Sequence, residues 1–293
     1  MPSQEHETLV AALKAGGGVQ APSLEAQRAG YDAMLSANPR PADVTVQTIR
    51  IGDCDADWVS VPASAASPKV VLYLHGGGYV IGSNVGYREF GGRLSRATGA
   101  RVLVLNYRLA PEHPFPAAVD DTTAAYRWLL AQGTAAADIT IAGDSAGGGL
   151  ALAALVALRD AGTALPAGAV CLSPWTDLEG TGDSAVPGKV DDPLVSQDGL
   201  RGMSGAYAPP DLRNPLASPL YADLKGLPRL LVLVGTREIL YDDSTRFVAK
   251  AKAAGVAVDY FAGEGLVHVW PVLAPTAPET IDALERIARF MRG

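Results

Sequence analysis

The chain has 293 residues, 48% hydrophobic and 19% charged, which is enough apolar content for a buried core and too much for a disordered chain. With 24 Lys and Arg against 31 Asp and Glu, the formal charge is -7, and this argues against a basic nucleic-acid-binding surface. The opening MPSQEHETLV lacks the basic-then-apolar order of a signal peptide, and the longest near-apolar run, Gly147 to Leu158, falls short of the roughly 20 residues of a membrane span.

In chain order, residues 1–40 read as loosely amphipathic helix, interrupted at Gly16-Gly17-Gly18 (a flexible loop) and closed by Asn38-Pro39-Arg40-Pro41. Val44 to Val61 is strand-like, with alternation in VTVQTI. Short apolar runs follow at Val70–Leu74, Arg101–Asn106, Ile139–Ala142, Ala169–Leu172, Leu230–Val234 and Ala257–Phe261. Helical stretches fall at Tyr87–Thr98, Asp120–Gln132, Ala146–Ala161 and Pro278–Met291. Apolar strands alternating with helices predict a mostly parallel sheet covered on both faces. No repeat of solenoid or propeller length occurs. From about 180 to 220 the rhythm breaks into a stretch rich in Pro, Gly, Asp and Ser, read as one or two short helical turns. A long irregular insertion of this kind is usually functional, often a lid. The expected organisation is a single α/β domain over 1–293 with a small cap formed by about 1–42 and 180–220. Cys54 and Cys171 lack partners at ligand spacing, so no metal site is expected, and they read as reduced thiols of a cytoplasmic protein.

Gly143-Asp144-Ser145-Ala146-Gly147 fits G-x-S-x-G after a predicted strand and before a predicted helix, the context that gives this weak pattern its meaning. The glycines serve sterics, because the turn that lifts Ser145 out of the sheet is tight. A serine hydroxyl needs a base to take its proton. The histidines are His6, His75, His113 and His268, and in the nucleophile–acid–base order of such sheets only His268 follows Ser145. The acid that orients it should follow a strand in between. Glu238 lies three residues past the glycine that ends Leu230–Gly235, and it is preferred over Asp242; Asp242 and Asp243 also suit the first turn of a helix. His75-Gly76-Gly77-Gly78-Tyr79 follows a buried strand and offers side-chain-free amides. Two of Gly76, Gly77 and Gly78, with the Ala146 amide, would form an oxyanion hole. His75 reads as a hydrogen-bonded loop residue.

HGGGY at 75–79, YRLAPEHPFPAA at 107–118 and GDSAGG at 143–148 together resemble the bacterial hormone-sensitive-lipase-like esterases of the GDSAG subgroup, over roughly residues 40–293. The resemblance implies an α/β-hydrolase fold with a cap, and hydrolysis of short-chain esters through an acyl-enzyme without metal or cofactor. It implies a triad of Ser145, His268 and the acid of the G-x-x-[DE]-x-L-x-D-[DE] stretch, which is Glu238 where most members carry Asp. It further implies structural roles for Arg108, Glu112 and His113, and dimers through an edge strand at Leu230–Val234 or the final strand. Trp175 either touches substrate or packs. The family's G-M-x-H-G-F around the base is altered at Leu266, Val269 and Trp270, which leaves the pocket wall open. Other chemistries fit the same triad, namely a lactonase, deacetylase or amidase. A non-catalytic small-molecule receptor on this scaffold is the remaining alternative, and His268 speaks against it.

Overall fold

The computed structural model describes residues 1–16 and 23–293. Gly17 and Gly18 of the expected glycine loop lie outside the described residues, and Gly16 closes the first helix. Eight strands form one sheet: β1 (Thr45–Ile51), β2 (Cys54–Ser60), β3 (Val70–Leu74), β4 (Arg101–Leu105), β5 (Ile139–Asp144), β6 (Gly168–Leu172), β7 (Leu230–Gly235) and β8 (Val258–Gly263). Their order is β1-β2-β4-β3-β5-β6-β7-β8. β1 and β2 pair antiparallel, β2 meets β4 antiparallel, and every pairing from β4 to β8 is parallel. Burial follows from this arrangement. β3, β5, β6 and β7 are buried at every position, as central parallel strands covered on both faces must be. β1, at an edge, is mostly exposed, with Val46 and Ile49 half-buried and only Ile51 buried, so the alternation of its sequence does not carry through as alternating burial.

Nine helices are described: α1 (Gln4–Ala15), α2 (Leu24–Leu35), α3 (Arg88–Thr98), α4 (Ala117–Ala131), α5 (Ala146–Asp160), α6 (Gln197–Tyr207), α7 (Tyr241–Ala253), α8 (Trp270–Leu273) and α9 (Pro278–Arg292). Alternate strand residues feed two cores. Val71, Tyr73, Val102 and Val104 pack with Phe90 and Leu94 of α3 and Ile287 and Phe290 of α9. Leu72, Leu74, Leu103 and Ile141 pack on the other face with α4, α5 and Phe247 of α7. Each fully buried Leu or Ile contributes about 1.5–3 kcal/mol by leaving water. None of the described helices is long and apolar enough to cross a membrane.

Two expectations need correction. Leu230–Val234 is not an edge, because β7 lies between β6 and β8, and β8 alone closes that side of the sheet. The 180–220 stretch is also more regular than expected. It holds the 11-residue helix α6, whose N-cap Ser196 accepts from the Gly199 amide. Gly199, Gly202 and Gly205 hide that helix in the sequence, since each lowers helix propensity by about 1 kcal/mol.

Candidate active site

The parallel strands deliver the site at their carboxyl ends. β5 runs into Ser145, whose backbone is strained (φ 54°, ψ -122°), and α5 begins at the next residue. The flanking glycines are sterically required: a Cβ on Gly143 would lie 2.3 Å from the Gly147 carbonyl oxygen, and one on Gly147 would lie 2.0 Å from that of Leu74. The turn is clamped from the neighbouring strand. The Ser145 amide donates to the Leu172 carbonyl at 2.8 Å, and the Trp175 amide donates to the Ser145 carbonyl at 2.9 Å.

After β3, Gly77 and Gly78 take left-handed backbone (φ 111° and 61°) and border the same cavity as Ser145. Gly76 does not join them. Its amide is turned inward and donates to Asp144 Oδ1 and the Tyr87 hydroxyl, each at 3.0 Å, so it is already engaged. Of the three glycines among which the sequence left the choice of two open, Gly77 and Gly78 line the cavity. Asp144, fully buried, also accepts from the Tyr73 and Tyr87 hydroxyls at 2.8 Å. Burial pushes its carboxyl up to about 6, and these donors act in the opposite direction. Tyr31 of α2 extends the network, its hydroxyl 3.1 Å from that of Tyr87. His75 is buried, donates from Nδ1 to the Gly76 carbonyl at 2.8 Å and stacks on Tyr107. Burial drives its pKa down to about 4, so the ring is neutral scaffold at pH 7.

His268 and Glu238 meet. The loop after β8 places His268 Nδ1 at 2.7 Å from Glu238 Oε2, with both side chains buried. The other carboxylate oxygen accepts from Ser173 Oγ at 2.7 Å and from the Gly235 amide. Burial alone would lower the imidazole's pKa, but the charge and hydrogen bond of Glu238, with Asp192 and Asp144 adding to them, hold it above the ordinary 6.5. Asp242 and Asp243 point elsewhere. Asp242 accepts from the Ser184 amide. Asp243 accepts from the backbone amides of Thr176 and Asp177, and burial pushes its carboxyl up to about 7.

Ser145, His268, Gly77 and Gly78 all border one cavity of about 330 Å³, mostly apolar, with Tyr31 of α2 and Met203 of α6 among its walls. Met203 lies directly on Gly78, where a Cβ would meet its sulfur. A wider cleft of about 540 Å³ between α3 and α9, edged by Arg93 and Arg289, holds none of these groups. The remaining motif residues are structural. Arg108 pairs with Asp121 at 2.7 Å. Glu112 receives both terminal nitrogens of Arg28, which ties α2 to the loop after β4, while the His113 amide closes a turn onto Leu109. Trp175 is buried and donates to the Asp177 carbonyl, so it packs. No group of three or more His, Cys, Asp or Glu side chains able to hold a metal occurs among the described residues.

The α/β-hydrolase fold family matches residues 71–272. An acetyl-hydrolase of Streptomyces hygroscopicus is 46% identical over 274 residues, 92% of this chain and 90% of that protein. A crystal structure of an esterase from the bacterial hormone-sensitive lipase family superposes with a TM-score of 0.96 at 45% identity, covering 100% of this chain and 98% of that one. The esterase EstE5, soaked with p-nitrophenyl butyrate, superposes at 0.92 with 43% identity over 99% and 98% of the two chains. The chain belongs to the bacterial hormone-sensitive-lipase-like esterases. Against that family's pattern, this esterase holds Val269 at a position where glycine is usual, in a left-handed conformation (φ 48°) that glycine adopts freely and a β-branched residue does not. Two features of the site carry a motif in the sequence but no partner. Asp144 is the D of the GDSAG form and Ser173 opens the stretch SPWTD, yet neither pattern shows which groups these side chains bind.

Proposed function

We propose that this esterase hydrolyses short-chain carboxylic esters through an acyl-enzyme, with Ser145 as nucleophile, His268 as base and Glu238 as the acid that orients it. The reading rests above all on the 2.7 Å bond between His268 and Glu238 beside the cavity that Ser145 borders. Ser145 Oγ attacks the ester carbonyl while His268 Nε2 takes its proton, and Glu238 balances the imidazolium. The carbonyl oxygen, now negative, is received by the amides of Gly77, Gly78 and Ala146. The tetrahedral intermediate collapses, the alcohol departs with the proton from His268, and Ser145 carries the acyl group. Water then gives a proton to His268 and attacks that acyl carbon, and collapse returns the proton to Ser145 and frees the acid. α2 and α6, which both line this cavity, belong to a cap over it. A volume near the bottom of the roughly 300–1,000 Å³ range of ligand pockets favours small acyl groups.

Replacing Ser145 with Ala should lower kcat on p-nitrophenyl acetate or butyrate by roughly 10⁴-fold or more. A fluorophosphonate probe should label the wild type at Ser145 alone. Near-normal turnover in Ser145→Ala, or a wild type that resists the probe, would overturn the assignment.

A further inference from the structure

The hydroxyl of Ser173 lies where the proposed acid, the proposed base and the nucleophile's strand come together. Ser173 directly follows β6, the strand between β5, which carries Ser145, and β7, which leads to Glu238. Its Oγ donates to Glu238 Oε1 at 2.7 Å, leaving Oε2 for His268. The same oxygen accepts the amide of Val269, the residue after His268, at 3.1 Å. One atom therefore links the acid's side chain to the base's backbone. Ser173 is fully buried and takes left-handed backbone (φ 49°), as Val269 does (φ 48°). Two non-glycine residues in that region, joined to each other by a hydrogen bond, mark backbone held in place by its surroundings. The adjoining Leu172 and Trp175 fix the Ser145 backbone from the same short segment.

A glutamate has one more rotatable bond than an aspartate, so its carboxylate needs more restraint to present one oxygen to an imidazole. With Oε1 held by Ser173 and the Gly235 amide, the side chain has a single orientation available. We infer that Ser173 is a positioning residue for catalysis, whose hydroxyl fixes Glu238 and the His268 loop in register with Ser145. The inference rests on the triad reading above and acts through Glu238, without touching substrate.

The test uses Ser173→Ala, Ser173→Gly, Glu238→Asp and the double variant Ser173→Ala/Glu238→Asp, assayed beside Ser145→Ala and His268→Ala. Losing a hydrogen bond to a charged group should lower kcat about tenfold to a hundredfold in both Ser173 variants, with KM within about threefold of wild type. Glycine relaxes the backbone but also lacks the hydroxyl, so it should not restore activity. In the Glu238→Asp background the Ser173→Ala change should cost much less, because the shorter acid cannot meet His268 and Ser173 together. Wild-type kcat in Ser173→Ala, recovery in Ser173→Gly, or a full additional loss in the double variant would overturn the inference. If Ser145→Ala and His268→Ala collapse while Ser173→Ala does not, only this inference fails. If Ser145→Ala keeps its turnover, the triad reading fails first.

Discussion

A histidine that is to take a proton from serine must be neutral, and the carboxylate that steadies His268 also raises the pH at which it becomes neutral. Burial opposes the charge on the ring, and Glu238 with its acidic neighbours overcomes that opposition. The acid limb of kcat/KM should therefore lie above pH 6.5, the ordinary value for histidine, with activity rising as pH increases through it. Glu238→Gln removes the main cause of the raised pKa, so the limb should move to lower pH while kcat falls. pH–rate profiles of both proteins check this, and a limb that stays in place in the variant would remove Glu238 from its role. At this scale the sequence is informative wherever chemistry leaves few options. The elbow motif and the single late histidine single out Ser145 and His268. The sequence cannot show that the Gly76 amide is already engaged by Asp144 and Tyr87, because the direction of an N–H is set by partners 11 and 68 residues away.

The elbow is the element most tightly constrained by its neighbours. α5 begins so close to the end of β3 that any side chain at Gly147 meets the carbonyl oxygens of Leu74 and His75. Gly147→Ala should cost about 1–3 kcal/mol or more through overpacking against backbone that cannot move aside. Chemical denaturation of the variant measures it, and an unchanged midpoint would mean that the turn is looser than this geometry. The helices of the proposed cap are less legible. Arg28 of α2 donates to the Val80 and Ala110 carbonyls as well as to Glu112, so that helix is tied to the two loops after β3 and β4 by an arginine that carries no motif. α6 reads in the sequence as no more than a turn or two because its glycines and serine suppress the helical signal, which Ser196 and packing against the core restore.

At the scale of the whole molecule the strands are readable because parallel strands buried on both faces must be short and wholly apolar. The order of those strands is a tertiary fact, and β7 cannot be told from an edge by its own composition. Burial of the two thiols has a consequence beyond the site. Cys54 opens β2 in the hairpin that borders the sheet, while Cys171 sits in β6 at its centre, and both side chains are shielded from water. Burial pushes the Cys54 thiol up to about 12 and the Cys171 thiol up as well, so neither offers an alkylating reagent a thiolate. Iodoacetamide can therefore gain entry only when the fold opens. Fraying of the bordering hairpin should let Cys54 react first, and Cys171 only on global unfolding, with the two peptides distinguished by mass spectrometry. Equal labelling rates would mean that the hairpin and the centre open together; unequal rates make the two native thiols a built-in pair of clocks for local and complete opening.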